Sequence, residues 1–143
     1  MRAHGRTSES PTAANLIQSA GERATQARIA VLDTLLAAEH ALSHQDIERI
    51  LAGRQHKIDK VTLYRVLDWA QNQGLVHKLT GEDRVWRFSA TSNSDHTHFN
   101  CTDCGQIYCL ENLTPAVALN LPEGFELLHA DVAVQGLCPR CSR

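Results

Sequence analysis

Apolar residues recur at helical spacing three times in the first half of the chain and then give way to short strand-like runs. Ile29, Leu32, Leu35 and Leu36 fall on one stripe of a helix that starts near Thr25. Ile47, Ile50 and Leu51 mark the buried face of a second helix. Ser43 is its N-cap, Asp46 three residues on is the capping partner, and Gly53 is placed to end it in the left-handed conformation. A third helix opens on Asp59, carries Leu63, Val66, Leu67 and Ala70 at i, i+3, i+4 and i+7, and closes at Gly74. Its other face shows Lys60, Thr62, Tyr64, Arg65, Asp68 and Trp69. LVHKL (75–79) and RVWRF (84–88) read as two strands joined by the hairpin loop Thr80-Gly81-Glu82-Asp83. Three helices followed by a hairpin make a winged helix, an elaborated helix-turn-helix. The first 20 residues are small and polar, and flexibility or a frayed helix is expected there.

ATSNSD (90–95) breaks both periods and is read as the boundary between a domain at 1–90 and another at 91–143. Beyond it, HFNC and QIYCL are two short strands about a Cys-x-x-Cys turn. TPAVALNLP has room for a short helix, and FELLHADVAVQG (125–136) for a longer strand. The predicted fold is therefore α+β: an N-terminal winged helix followed by a small α/β domain. About 50 residues are too few for a self-sufficient core, so the second domain is expected to need metal and dimerisation.

Charge alters this picture locally rather than globally. The net charge of −2 does not by itself point to nucleic acid. Residues 1–90 hold 12 Lys/Arg against 10 Asp/Glu, whereas residues 91–143 hold 2 against 6. From Arg49 to Arg65 the chain carries Arg49, Arg54, Lys57, Lys60 and Arg65 against Asp59 alone. That stretch is either a phosphate-facing patch or an ordinary solvated helix face. No apolar run is long enough to span a bilayer, and the N-terminus lacks the apolar stretch of a secretory signal. A cytoplasmic protein with reduced thiols is expected, with no membrane partner.

All five cysteines, Cys101, Cys104, Cys109, Cys138 and Cys141, lie in the last 43 residues. An odd number in a reducing compartment favours metal over disulfides. Cys101-x-x-Cys104-Gly and Cys138-Pro-Arg-Cys141 are paired zinc knuckles: a two-residue spacer points both thiolates at one ion. Four thiolates make a closed tetrahedral Zn²⁺ site, one per chain, which is structural because no coordination position stays open. The 33 residues between the pairs can form strands that bring the chain back. A redox reading needs a thioredoxin-like βαβ context that the pattern lacks. His96, His98 and Cys109 remain. Two histidines two apart on a strand share a face, and a histidine-plus-thiolate set suits Zn²⁺ better than Fe²⁺. The same histidines also read as polar surface, and Cys109 as a small buried hydrophobe. His77 on the first wing strand could face His96 across the boundary, and Glu111 is a possible fourth ligand. His40 is a hinge-side candidate that reads better as a loop residue. A zinc hydrolase or deaminase would need an open metal position beside an acid–base Glu, and no such motif occurs. No enzyme and no small-molecule substrate are expected.

The run KVTLYRVLDWAQNQGLVHK (60–78), the segment His96 to Gly105 (His-x-His-x-x-Cys-x-x-Cys-Gly) and Gly136 to Cys141 (Gly-x-Cys-x-x-Cys) together resemble the ferric uptake regulator family over roughly residues 22–141. The resemblance implies a cytoplasmic, homodimeric, metal-responsive repressor of operator DNA. It implies that Tyr64 and Arg65 approach the double helix, with Thr62 and Lys60 at phosphates. It also implies a sensory metal site at the hinge, apart from the four cysteines. Within the family the zinc uptake regulators fit best, through VHK at 76–78 and the segment from Gly124 to Cys141. Such a chain would hold a second, regulatory Zn²⁺ through His77, His96, His98 and either Cys109 or Glu111; an iron- or peroxide-responsive regulator is the alternative. Two departures stand out. Cys109 takes a position where the family commonly places a carboxylate, and Arg87 takes one on the second wing strand where a ligand is often found.

Overall fold

The computed structural model describes residues 12–81, 83–90, 97–110, 120–128 and 132–142. The described residues begin with a helix where the sequence predicts flexibility or a frayed helix: α1, Ala13–Ser19, N-capped by Thr12, whose side chain accepts the Asn15 N–H. Ala13 and Ile17 are its buried residues. They are buried because α2 (Gln26–Ala37) is apolar around most of its circumference. Val31, Leu32 and Leu35 are buried, and Ile29, Ala30 and Leu36 pack against the core from other sides. A helix with so wide an apolar face has to be covered along most of it, and only Gln26, Asp33 and Ala37 of α2 stay exposed. α1 covers one flank of α2, and α3 (His44–Gly53) and α4 (Lys60–Asn72) cover the others.

The helix starts follow the capping chemistry read from the sequence. Ser43 and Asp46 form a reciprocal capping box, at 3.2 and 3.1 Å. Asp59 accepts the Thr62 N–H at 2.7 Å. Leu63, Val66, Leu67 and Ala70 of α4 are buried as expected, and Gly74 takes the left-handed conformation after its end, with φ 73°. Gly53 does not. It stays inside α3, and the left-handed residue is Gln55, φ 63°, where His56 N–H turns back to Leu51 O at 2.9 Å.

A two-residue strand ahead of α3, β1 (Leu42–Ser43), pairs with the second strand of the wing. The sheet runs β1-β3-β2, with β2 at Val76–Thr80 and β3 at Trp86–Ala90. β3 starts two residues later than the sequence suggests. The Asp83 carboxylate accepts the Val85 N–H at 3.1 Å and so withdraws Val85 from the ladder; the first pair is Thr80 with Trp86. Trp69, grouped above with the outward face of α4, instead packs against the core, with the Arg28 guanidinium 3.9 Å above its ring.

In the C-terminal part, β4 (Thr97–Cys101) is central. It pairs antiparallel with β5 (Ile107–Leu110) and parallel with β6 (Val132–Gly136). Gly136 is there for a steric reason: a Cβ at that position would meet the Phe99 ring at 3.1 Å. Of the strand predicted for 125–136, Val132–Gly136 is observed and 129–131 lie outside the described residues. Residues 125–128 lie exposed outside the sheet, after a turn at Gly124 in which Phe125 N–H bonds to Pro122 O at 3.2 Å. The short helix expected within 114–122 falls mostly outside the described residues; its last three, 120–122, are not helical.

Among the described residues of this half, Thr97, Cys101, Ile107 and Cys138 are the buried ones. Two of the four are cysteines of the paired knuckles, so among the described residues the thiol cluster is a large part of what is buried.

Candidate functional site

The parallel register of β4 and β6 sets Cys101 beside Gly136, two residues before Cys138. Both knuckles therefore leave the same end of the sheet. Gly105, φ 77°, closes the first, with its N–H bonded to Cys101 O at 3.0 Å; the second closes through Cys141 N–H to Cys138 O at 3.0 Å. The Sγ atoms of Cys101, Cys104, Cys138 and Cys141 lie within 4.8 Å of one another, and Cys104 and Cys138 are 3.8 Å apart. Zn–S bonds of about 2.3 Å in a tetrahedron put sulfurs about 3.8 Å apart, so the four side chains fit a zinc ion. None of the five cysteines is in a disulfide.

The backbone already favours charge on part of this set. N–H groups of Cys104 and Cys138 hold the Cys101 thiol down to about 6. Cys141 is pushed the other way, first by its contact with Cys138 and then by burial. Adjacent thiols cannot all ionise without a cation among them. Tyr108, raised to about 12 by burial and then by its contact with Cys138, stays a neutral donor beside the cluster.

The proposed sensory residues are only partly described. His98 and Cys109 face each other as register partners on β4 and β5, whereas His77 on β2 is the partner of Ser89 in the wing sheet. His96 and Glu111 lie outside the described residues. Among the described residues, the four cysteines are the one tight grouping of three or more ligand side chains. His40 behaves as a loop residue: its Nδ1–H donates to Ala41 O at 3.0 Å, and its ring meets Tyr108 edge-on at 5.8 Å.

The wing and the first knuckle touch. Ala41 N–H donates to Ile107 O at 2.7 Å, and a Cβ on Gly81 would lie 3.4 Å from Ile107 Cδ1. Arg87, only 8% exposed, makes two bonds to Asp83, at 3.0 and 2.7 Å, and the pair abuts Gly105. A cleft of about 340 Å³ runs along this joint, lined by Gly81, Asp83, residues 100–105, Ile107 and Gln135. Sequence reading recognised only that Arg87 cannot bind a cation. Its partner Asp83 was read as a loop residue, because an i,i+4 pair across a hairpin leaves no periodic signal.

In α4, Lys60, Tyr64 and Arg65 are exposed to solvent, with Thr62 half-buried at its first turn. Arg49, Arg54 and Lys57 are exposed as well. Tyr64 is 49% exposed, and one side of its ring rests on His44, 4.2 Å between centroids.

The ferric uptake regulator family model matches residues 19–134. The chain belongs to this family. It is 32% identical to the transcriptional regulator FurA of Mycobacterium tuberculosis over 92% of this chain and 91% of that one. It is 30% identical to the peroxide operon regulator of Bacillus subtilis, over 89% of each chain. It is 29% identical to the zinc uptake regulation protein of Escherichia coli, over 83% of this chain and 72% of that one. The ferric uptake regulator of Vibrio cholerae has the same fold: TM-score 0.64, 19% identity, 87% of this chain and 98% of that one. So does a zinc uptake regulator complexed with zinc and DNA: TM-score 0.59, 21% identity, 89% and 88%. As a member of the ferric uptake regulator family, the protein is a metal-responsive transcriptional regulator and not an enzyme. Among the described residues, no helix is long and apolar enough to cross a membrane.

Proposed function

We propose that the protein is a zinc-responsive repressor that binds double-stranded operator DNA as a homodimer. The DNA-binding domain is 1–90, and 91–143 carries the metal sites and the dimer contacts. One Zn²⁺ belongs to the four cysteines. A second, regulatory Zn²⁺ belongs to His77, His96, His98 and Cys109, with Glu111 as the alternative to Cys109.

The observation that carries the zinc assignment is the His98–Cys109 register pair. It sets an imidazole and a thiolate side by side, a softer donor set than a histidine–carboxylate site would offer. Identity does not choose the metal, since the relatives named for FurA, peroxide and zinc lie between 29% and 32%. An iron- or peroxide-responsive regulator is the second reading, favoured by the longer coverage of the FurA and peroxide relatives.

Lys60, Thr62, Tyr64 and Arg65 are the groups that would meet DNA, and the exposed cations between Arg49 and Arg65 support binding that weakens with salt. When His77 on the wing shares an ion with groups on the C-terminal domain, the angle between domains narrows to one value. A larger fraction of dimers then spaces both α4 helices for successive major grooves.

Two substitutions test this. Arg65→Ala should weaken operator binding tenfold or so while metal content per chain stays the same; unchanged affinity would mean that α4 is not the DNA-reading helix. Cys109→Ala should abolish the zinc response and leave the four-cysteine zinc in place. A C109A protein that still responds fully to zinc removes Cys109 from the sensory site.

A further inference from the structure

His44 stands where three elements of the N-terminal half meet. Its backbone is held twice. It is the first residue of α3, directly after the Ser43–Asp46 capping box. It also follows β1, whose Leu42 and Ser43 are register partners of Phe88 and Arg87. Its ring lies 4.2 Å from the Tyr64 ring of α4, tilted by 51°, and 4.8 Å from the Phe88 ring of β3, edge-on at 76°. Phe88 is 3% exposed and Tyr64 49%. The imidazole therefore joins an immobile core ring to the exposed aromatic of the DNA-facing helix. Burial, and next the charge of Lys78, lower its pKa against the opposing charges of Glu48 and Asp68, so the ring is neutral at neutral pH.

A tyrosine half in solvent on a helix surface normally samples more than one rotamer. A ring stacked against one side of it removes that freedom before any ligand arrives, and preorganisation of this kind raises affinity without adding a contact.

We propose that His44 is a positioning residue for DNA recognition: it holds the Tyr64 ring in a single orientation on the exposed face of α4, the one in which it meets the duplex. The proposal rests on the DNA-binding reading above. It assigns His44 no contact with DNA.

The experiment is a double-mutant cycle on the full-length, zinc-loaded protein, with a duplex that the wild-type chain selects from a random-sequence pool as the probe. His44→Ala should weaken binding about fivefold to tenfold, the range of an aromatic pair. It should cost less than about twofold in a Tyr64→Ala background, because the effect passes through Tyr64. His44→Phe should bind within about twofold of wild type with an unchanged salt slope, because a ring without a charge is all that is needed. Equal losses from His44→Ala in both backgrounds, or a His44→Phe protein as weak as His44→Ala, would overturn the proposal and make His44 itself the DNA contact. An unchanged His44→Ala affinity would also overturn it. If His44→Ala does not fold, His44→Gln takes its place.

A second readout needs no DNA. The chain has two tyrosines, Tyr64 and Tyr108, so a fluorotyrosine-labelled sample gives two resonances. The Tyr64 resonance should lie away from the free-tyrosine position in wild type and in His44→Phe, and move to it in His44→Ala. A free-tyrosine shift in wild type overturns positioning, whether or not a duplex is selected. Failure to select any duplex alongside a displaced Tyr64 resonance removes the DNA-binding reading and with it the role assigned here.

Discussion

Arg87 brings a full charge into a place that is 8% exposed, and Asp83 is what makes the charge tolerable there. Removing the carboxylate leaves a guanidinium short of partners. Because the Asp83 side chain is itself 42% exposed, water recovers part of the loss, and Asp83→Ala should cost about 1–2 kcal/mol in urea unfolding. The Arg87 bonds to Asp83 hold that carboxyl below the usual carboxylate range. The pair's contribution is therefore complete above the ordinary value of about 3.9 and is lost as pH falls through the lowered folded value. Asp83→Asn should flatten the wild-type decline in stability below about pH 4; an unaltered acid limb would mean that the pair contributes nothing. At this scale the sequence is legible wherever chemistry depends on spacing. Cys-x-x-Cys pairs, Ser43 with Asp46 and Asp59 before α4 all stand as read. The Asp83–Arg87 pair and the His44–Tyr64 stack depend on how a hairpin and two helices meet, which no local pattern encodes.

Helices α2 to α4 announce themselves by period, but α1 does not, because seven residues give at most two turns. In α2, Ile29, Ala30, Val31, Leu32, Leu35 and Leu36 make an apolar face far wider than one stripe, with Gln26 and Asp33 on the exposed side. Such a helix calls for another element to cover it, and Ile17, fully buried, is the residue that does so. Ile17→Ala should destabilise the N-terminal half by about 2–4 kcal/mol in denaturant unfolding. A change below about 0.5 kcal/mol would mean that α1 frays from α2 at little cost. The overlong strand read into 125–136 has the opposite cause. Phe125, Leu127 and Leu128 look like strand residues by composition, yet they lie exposed at 68%, 53% and 85%.

Across the whole molecule, the two halves differ in what holds them. The N-terminal half has a continuous core from Ala13 to Phe88, whereas the described residues of the C-terminal half offer Ile107 and a thiol cluster. A strong chelator should therefore abolish amide protection in β4, β5 and β6 while α2 and α4 keep theirs. Loss of protection in both halves together would show a single cooperative unit. The wing sits between these regimes, since Gly81, Asp83 and Arg87 lean on the first knuckle through Ile107 and Gly105. Fold class and the four-cysteine centre were legible because few arrangements satisfy two knuckles and a winged helix. For the proposed second metal set the sequence offers residue types alone: His98 and Cys109 share a register pair, and His77 is on the other sheet.

The division of labour between two zinc ions is tested most directly by one titration. Operator binding is followed across buffered Zn²⁺, Fe²⁺ and Mn²⁺ while bound metal is counted per chain. Two zinc ions per chain are expected, the first retained throughout the titration and the second bound in step with operator affinity, with Fe²⁺ and Mn²⁺ unable to substitute. One zinc per chain with DNA binding indifferent to metal, or full activation by Fe²⁺, would contradict it.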